Sequence, residues 1–301
     1  MDSLAAAPGT GPATSPLPVL RPARAPRKLE DLPTDRTLVM GVLNVTPDSF
    51  SDGGQFADTD AAIRAGLKMH YEGADIIDVG GESTRPDSVR VPEEEEQARV
   101  LPVIEALVRA GALVSIDTMH ASTARLAIEA GAAIVNDVSG TDTDPEMPAL
   151  VAATGVSYVL MHSRGSVRSD DPNASYGDVV EEVTAELVKV RDRFYAAGVA
   201  PEQIIVDPGL GFSKNAEQNW ELLRGIERLG VLGHRVLVGA SRKRFLGSLL
   251  TSFGKAAPPL ERDNATAAVS ALAAFSGVWA VRVHNVPASL DAVKVTAAWK
   301  G

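Results

Sequence analysis

The sequence predicts an α/β protein with one domain, a (β/α)8 TIM barrel of eight parallel strands surrounded by helices. Eight short β-rich segments alternate with longer helical segments from Thr37 onward. Most of the eight are continuously apolar, as expected for parallel strands that are buried on both faces. The run from Thr37 to Lys300 also has the size of such a barrel, which is typically ~250 residues. A doubly wound open sheet is the alternative that the same alternation allows.

The eight predicted strands follow each other at regular intervals along the chain. They are LVMGVLNV from Leu38, DIIDVG from Asp75, LVSID from Leu113, AIVND from Ala133, VSYVLMH from Val156, QIIVD from Gln203, RVLVG from Arg235 and WAVRVH from Trp279. Helices are predicted between and after them, at about Asp60–Tyr71, Glu93–Arg109, Ala121–Ala130, Asp144–Ala153, Asp178–Ala197, Ala216–Leu229, Arg262–Phe275 and Pro287–Trp299. No repeat or linker interrupts this order, so residues 37–301 are predicted to form one barrel domain.

The first 36 residues differ from the rest in composition. They are rich in Ala and Pro, and they carry Arg21, Arg24, Arg27 and Lys28 without the apolar core of a signal peptide. We interpret residues 1–36 as a disordered tail, with a transit peptide as the alternative.

The overall composition excludes several classes of function. The formal net charge of -10 argues against a general nucleic-acid binder, which needs a basic face. The chain has 0 cysteines, which excludes disulfides, thiolate nucleophiles and cysteine zinc sites, and which fits a reducing cytoplasm. No window approaches the ~20 apolar residues of a membrane span, so no membrane partner is expected.

Polar residues follow nearly every predicted strand, and this is the strongest functional signal. Taken singly, each has a structural explanation: Asp117 could cap the next helix, and Asn136 with Asp137 could stabilise a turn. In a barrel, however, the carboxyl ends of all strands meet at one rim, where active sites lie. The polar residues at these ends are Asn44, Asp78, Asp117, Asn136, Asp137, His162, Asp207, Ser241, Lys243, Arg282 and His284.

Three of these residues suit a flat, nitrogen-rich heterocycle. Asp117, Asn136 and Asp207 offer carboxylates and an amide, which can fix adjacent N–H donors by paired hydrogen bonds. The same rim therefore has one zone suited to recognising a heterocyclic ring.

A second zone suits an anion. Lys243, Arg282 and His284 offer donors and positive charge for a phosphate or pyrophosphate, and Arg282 and His284 share a strand face because side chains repeat every second residue. Asn44 offers an oxygen ligand to a Mg²⁺ ion that bridges the phosphates. A heterocycle at one end and a pyrophosphate at the other indicate displacement of pyrophosphate from the heterocycle.

Other catalytic motifs do not fit the sequence. The DPGLGF segment, which includes Phe212, and the DVGGES segment from Asp78 match neither GxGxxG nor the P-loop, so we interpret them as tight turns beside a ligand. Neither HExxH nor GxSxG occurs, and Ser241 has no obvious triad.

Eight segments together resemble the dihydropteroate synthase family. They occur in the family's order and span nearly the whole predicted barrel. The segments are MGVLNVTPDSFSDGG (Met40–Gly54), DVGGESTRP (Asp78–Pro86), SIDT (Ser115–Thr118), VNDVSG (Val135–Gly140), LMHSRG (Leu160–Gly165), DPGLGFSK (Asp207–Lys214), GASRKRFLG (Gly239–Gly247) and VRVHNV (Val281–Val286).

The resemblance implies a transferase of folate biosynthesis. Such an enzyme joins 6-hydroxymethyl-7,8-dihydropterin diphosphate to p-aminobenzoate by an SN1-like displacement, gives 7,8-dihydropteroate and pyrophosphate, and requires Mg²⁺. It also implies a cytoplasmic homodimer, formed through the last helices, that is a sulfonamide target.

The resemblance also implies roles for particular residues. The pterin contacts correspond to Asp117, Asn136, Asp207 and Lys243, with Phe212 as a further substrate-binding residue. The pyrophosphate site corresponds to Asn44, Arg282 and His284, with Asn44 beside the metal. The p-aminobenzoate site corresponds to Phe50, Asp52, Thr84, Arg85, Pro86 and Ser241, on loops that close over the pocket. The residues expected to act in catalysis are Asp52, Arg85, Lys243, Arg282 and His284.

Two positions depart from the family pattern. Asp87 stands where glycine is common, and Asn285 stands where aspartate usually follows the last histidine. Two other functions remain open at this point: a barrel domain that passes the methyl group of methyltetrahydrofolate to a corrinoid, and a pterin-binding protein without catalysis. The methyl-transfer domain would not need the anion site of Arg282 and His284.

Overall fold

The computed structural model describes residues 28–46, 55–82, 91–164 and 175–301, with the side chains of residues 55–57 excepted. Eight strands form one closed barrel in chain order. Every neighbouring pair is parallel, and β1 pairs with both β2 and β8. This closure confirms the (β/α)8 barrel and excludes the open sheet.

All eight predicted strands are present, each within a residue or two of its expected ends. The strands are β1 (Leu38–Asn44), β2 (Ile76–Gly80), β3 (Val114–Asp117), β4 (Ile134–Asp137), β5 (Ser157–Met161), β6 (Ile204–Asp207), β7 (Arg235–Val238) and β8 (Ala280–Val283). The helices are α1 (Gln55–Tyr71), α2 (Glu93–Arg109), α3 (Ala121–Glu129), α4 (Met147–Thr154), α5 (Val179–Ala196), α6 (Ala216–Arg224), α7 (Arg244–Leu249), α8 (Asp263–Phe275) and α9 (Val286–Lys300).

The helices differ from the prediction at four places. Helix α1 begins at Gln55, before the predicted start at Asp60. The short helix α7 was not predicted, because its six residues include Gly247 and are too few to show a helical period. Helix α6 ends before Gly225, and a 3₁₀ segment (Ile226–Leu232) follows it. Helix α4 begins at Met147 because Asp144 is used in the preceding turn, where its carboxylate accepts from the backbone N–H groups of Ala121 and Glu146.

The core has two layers, which explains the continuously apolar strands. Residues on one face of each strand pack with the helices in a large outer cluster. Residues on the other face fill the lower half of the barrel interior. This floor cluster consists of Leu32, Leu38, Met40, Ile76, Leu113, Ile134, Val159, Ile205, Leu237 and Ala280. The interior is therefore closed at the amino ends of the strands, and only the carboxyl ends leave room for a ligand. Among the described residues, no helix is long and apolar enough to cross a membrane.

Part of the predicted tail packs against the barrel floor. Leu32 is buried in the floor cluster, and Arg36 forms a two-pronged ion pair with Asp75, at 2.7 and 2.9 Å. Asp75 also accepts from the N–H of Val39, at 2.8 Å. Residues 28–36 therefore belong with the barrel, whereas residues 1–27 of the predicted tail lie outside the described residues.

Candidate active site

The inward face of the strands changes from apolar to polar toward the carboxyl ends. Side chains two residues apart on a strand point to the same face. Asp78, Asn136 and Asp207 therefore point inward, like Ile76, Ile134 and Ile205 of the floor cluster. The register places Asp117 beside Gly80 and Asn136. The floor cluster is thus covered by a layer of carboxylates and an amide, as the sequence predicts.

Arg282 lies at the centre of this polar layer. Its Nε donates to Oδ2 of Asp78 at 2.6 Å, and its Nη2 donates to Oδ2 of Asp117 at 2.5 Å. Asn136 donates from Nδ2 to the same Asp78 oxygen, at 2.9 Å. The sequence grouped Arg282 with the anion zone, apart from Asp117. In the structure the guanidinium joins the two zones, because an Arg inside the barrel needs carboxylates to offset its lost hydration.

The charges in this layer perturb each other's protonation. Burial raises the pKa of Asp117 to about 7, against the opposing effect of Arg282. Burial alone would lower the pKa of Arg282, but the charges of Asp78 and Asp117 raise it. The arginine therefore stays charged, while Asp117 titrates near neutral pH. A perturbed carboxyl of this kind in a cleft is a common mark of a functional site.

Asp207 and Lys243 face each other across Gly239. A Cβ atom added at Gly239 would lie 3.6 Å from Oδ2 of Asp207 and 3.8 Å from Nζ of Lys243. Burial raises the pKa of Asp207, and the charge of Lys243 opposes this. Gly239 therefore leaves open space where a carboxylate and an ammonium converge, which is where a ligand ring would be recognised.

Lys243 is fixed by the loop that follows β6. We call residues 208–215 loop six. The Lys243 ammonium donates to the carbonyl of Leu210 and lies 4.7 Å from the centroid of the Phe212 ring. Burial lowers the pKa of Lys243 to about 8. The structure thus brings Phe212 and Lys243 together beside Asp207, and the assignment of all three to the pterin remains a prediction.

His284 and Ser241 form a pair on the other side of the mouth. The Ser241 hydroxyl lies 3.0 Å from Nδ1 of His284 and accepts from the His284 backbone N–H at 3.1 Å. Ser241 was predicted at the p-aminobenzoate site and His284 at the pyrophosphate site. The hydrogen bond joins these two expected sites.

Asn44 ends β1 and is half-buried at the rim, opposite Gly80 in the register. Among residues 28–46, 55–82, 91–164 and 175–301, no three His, Cys, Asp or Glu side chains are grouped closely enough to hold a metal. The Asn44 side-chain amide oxygen is a donor of the type that hard divalent cations bind.

Several predicted site residues cannot be placed. Phe50, Asp52, Thr84, Arg85 and Pro86 lie outside the described residues, as does the departure at position 87. Their assignments to the p-aminobenzoate site remain predictions.

Asp78 has no predicted ligand, although its carboxylate organises the site. It is fully buried and holds both Arg282 and Asn136. Strand periodicity could have shown this, since Asp78 is two residues beyond the inward Ile76. The same rule separates Asn136 from Asp137. Asp137 points outward, where it accepts from the Tyr158 hydroxyl at 2.8 Å and the Ser139 N–H at 2.7 Å, so its role is structural.

The fold and site define a (β/α)8-barrel enzyme whose mouth presents buried carboxylates, an amide, a lysine, an arginine and a histidine to one small ligand space. The family model described as "Pterin binding enzyme" matches residues 40–284, and the chain belongs to this family.

Its relatives within the family are dihydropteroate synthases. The chain is 52% identical to the dihydropteroate synthase of Mycobacterium leprae over 263 residues, covering 87% of this chain and 93% of the relative. It is similar to the solved Xanthomonas albilineans dihydropteroate synthase with 4-aminobenzoic acid, with 43% identity, a TM-score of 0.82 and coverage of 89% and 94% of the two chains. A structure of that synthase with 7,8-dihydropteroate aligns with a TM-score of 0.79, 40% identity and coverage of 90% and 96%.

Proposed function

We propose that this chain is a dihydropteroate synthase, a transferase of folate biosynthesis. It joins 6-hydroxymethyl-7,8-dihydropterin diphosphate to p-aminobenzoate and releases pyrophosphate. The observation that carries this proposal is the meeting of Asp117, Asn136, Asp207 and Lys243 at one barrel mouth, in a chain about as long as its synthase relatives.

The pterin ring is held by the inward polar layer. The Asn136 amide is oriented by its donation to Asp78, and it presents its oxygen to a ring N–H. Asp207 has Oδ1 engaged by the Gly209 N–H at 2.7 Å, so Oδ2 is the oxygen that faces the open space beside Gly239. Lys243 supplies a donor to the ring carbonyl or ring nitrogen. Buried polar groups of this type reject ligands that cannot pair with them, which gives specificity for the heterocycle.

The reaction exchanges one bond for another at the exocyclic carbon of the pterin. The C–O bond to the diphosphate breaks first, as in an SN1-like displacement, and its electron pair leaves with pyrophosphate. The aniline nitrogen of p-aminobenzoate then forms the C–N bond and loses a proton. Asp117 and Asp207 stabilise positive charge on the pterin, while Arg282 and His284 stabilise the leaving anion. No covalent bond to the protein is required.

A divalent metal ion, Mg²⁺, is part of this proposal. It would be held by the Asn44 oxygen together with diphosphate oxygens, where it would neutralise charge on the leaving group. The amide oxygen at the end of β1 supports this assignment, and the described residues contain no cluster of three His, Cys, Asp or Glu side chains that could hold a metal without the diphosphate.

The second substrate is assigned to the loops after β1 and β2 and to the pair of Ser241 and His284. Phe50, Asp52, Thr84, Arg85 and Pro86 are the loop residues in this assignment. Sulfonamides, which mimic p-aminobenzoate, would compete there. A structure of the Yersinia pestis synthase with a sulfonamide drug complex supports this part of the proposal.

The remaining parts of the proposal concern assembly and location. We assign residues 37–301 to one barrel domain that works as a homodimer in the cytoplasm. Helices α8 and α9 pack on each other and expose Leu272, Phe275, Val295 and Trp299, an apolar surface suited to a second copy. Light scattering of the purified chain tests the dimer.

The test of the reaction is pyrophosphate release by the purified chain with pterin diphosphate, p-aminobenzoate and Mg²⁺. We expect stoichiometric pyrophosphate and dihydropteroate only when all three are present. Binding of pterin diphosphate without any pyrophosphate would instead identify a non-catalytic pterin-binding protein, and the synthase proposal would be wrong.

A further inference from the structure

A second lysine, Lys214, is buried on the side of loop six that faces away from the barrel mouth. Its side chain is 2% exposed. Its Nζ contacts three acceptors: Nδ1 of His162 at 2.8 Å, the carbonyl of Phe212 at 3.0 Å and the carbonyl of Gly209 at 3.1 Å. An ammonium has three N–H donors, so this environment satisfies all of them. Burial lowers the pKa of Lys214, but a neutral amine could donate to only two of these acceptors, so the geometry favours the ammonium.

Glu186 holds the His162 ring in one tautomer. Its Nε2 lies 2.9 Å from Oε2 of Glu186 on α5, and a carboxylate can only accept, so Nε2 carries the hydrogen. Burial, followed by the charge of Lys214, lowers the pKa of His162 to about 4. The neutral ring therefore keeps Nδ1 as the acceptor for Lys214.

Arg164 and Tyr176 extend the network from Glu186 back to loop six. Arg164 donates to both Glu186 oxygens, and its guanidinium lies 3.9 Å from the centroid of the Tyr176 ring. The Tyr176 hydroxyl in turn donates to the carbonyl of Ser213 at 3.1 Å. Lys214, itself a residue of loop six, thus holds the carbonyls of Gly209 and Phe212. Contacts from outside the loop reach it at Lys214, through His162, and at Ser213, through Tyr176.

On its inner side, the backbone of loop six also forms hydrogen bonds with Asp207 and Lys243, two residues assigned to the pterin. The Gly209 N–H donates to Asp207, and the Leu210 carbonyl accepts from Lys243. Gly209 has a φ of 67°, and a Cβ there would lie 1.9 Å from the His162 carbonyl oxygen, so the backbone itself is pressed against β5. A shift of loop six would therefore move both the carboxylate and the ammonium that face the substrate.

We propose that Lys214, His162 and Glu186 form a positioning site for the reaction, which acts through loop six to set the directions of Asp207 and Lys243. None of the three residues touches substrate. This inference rests on the proposed function, and it adds residues that position the pterin zone without belonging to it.

The first test is Lys214→Met, which keeps most of the side-chain length and removes the donors. We expect the Michaelis constant and the dissociation constant for pterin diphosphate to rise about tenfold or more, while the Michaelis constant for p-aminobenzoate stays within about twofold. The dissociation constant is measured by calorimetry without p-aminobenzoate, and the Michaelis constants by pyrophosphate release.

The control is Tyr158→Phe, which removes a buried hydrogen bond to Asp137 on the outer face of the barrel. Both variants should lose stability, because each leaves buried polar groups unpaired. Only Lys214→Met should lose pterin affinity. If the two variants share the same kinetics, or if both Michaelis constants rise together in Lys214→Met, Lys214 is structural only and the inference is overturned.

Two variants of His162 test the same link if Lys214→Met does not fold. Asn keeps an acceptor oxygen near the Nδ1 position, toward Lys214, whereas Gln reaches the Nε2 position, toward Glu186. We expect His162→Asn to retain pterin affinity better than His162→Gln, and the reverse order would overturn the inference. Wild-type protein that binds the pterin but releases no pyrophosphate would refute the proposed function alone, since the binding comparison still decides the positioning site.

Discussion

The two sides of loop six each bury charged groups, but they differ in how completely the protein pairs them. On the outer side, Lys214 has three acceptors within 3.1 Å. On the inner side, the contacts of the Lys243 ammonium within the described part of the chain are the Leu210 carbonyl and the Phe212 ring face, and the ammonium lies near the open space at Gly239. Burial by itself therefore does not mark a substrate-binding residue. A better mark of a substrate-binding residue is a buried polar group that is only partly hydrogen-bonded and lies beside an open space, because its remaining donors or acceptors can bind a ligand.

The largest effect is expected when the inner side loses a carboxylate. Asp207→Ala should abolish measurable pterin binding, since a buried ring N–H would lose its partner at a cost of about 1–3 kcal/mol or more. Calorimetry with pterin diphosphate measures this. The matched control is Asp137→Asn, at a buried carboxylate on the outer face, which should retain affinity. Equal affinity in wild type and Asp207→Ala would contradict the assignment of the inner side.

The second prediction concerns the stability cost of leaving Asp117 available for a ligand. Its pKa is raised from 3.8 to about 7 by burial, so the folded state binds the proton more tightly than the unfolded state. The free energy of unfolding should therefore fall as the pH rises from about 4 to about 7, by at most about 1.4 kcal/mol per pH unit for this group. Urea unfolding of wild type and Asp117→Asn at several pH values measures the difference.

Asn at position 117 cannot titrate, so the variant should show a flatter pH dependence and should lose pterin affinity even where it is more stable. Burial also raises the pKa of Asp137 on the outer face, against the hydrogen bonds from Ser139 and Tyr158, so part of the pH dependence should remain in the variant. Parallel pH curves for wild type and Asp117→Asn would show that Asp117 does not titrate in this range.

A smaller effect is expected from filling the inner space. In Gly239→Ala the new methyl group lies among Asp207, Lys243 and Arg282 at distances of 3.6 to 3.9 Å. The protein should fold, but the pterin should bind about tenfold more weakly because its position overlaps the methyl group. Gly230→Ala is the control, since a Cβ there meets nothing within 4 Å. Unchanged affinity in Gly239→Ala would place the ring elsewhere.

The sequence alone predicted the barrel and most of the polar residues at its mouth. It did not predict the network of Lys214, His162 and Glu186 on the outer side of loop six. Buried parallel strands are continuous apolar runs, and the polar residue at each end is therefore visible in the sequence. Asp78 follows from strand periodicity once the inward Ile76 is known. The contact of Lys214 with His162, in contrast, joins residues 52 positions apart. It depends on a loop conformation with positive φ at Gly209, Gly211 and Ser213, which no periodic pattern encodes.

The smallest effect is expected at Asn285, which lies between the site and α9. Its Oδ1 caps the helix by accepting from the Ala288 N–H at 3.2 Å, and its Nδ2 donates to Asp263 at 3.1 Å. Asp263 is also held by Arg242, at 2.7 and 2.8 Å. Aspartate at position 285 would keep the cap and favour the helix dipole, but it would place two carboxylates together.

We therefore expect Asn285→Asp to change the free energy of unfolding by less than about 1 kcal/mol, since the cap gain and the repulsion from Asp263 oppose each other. Asn285→Ala loses both hydrogen bonds and should cost about 1 kcal/mol. Urea unfolding of the two variants, with the Michaelis constant for p-aminobenzoate as a second readout, compares them. A larger loss in Asn285→Asp than in Asn285→Ala would mean that repulsion dominates, and that this chain needs the amide because Asp263 already occupies the position beside it.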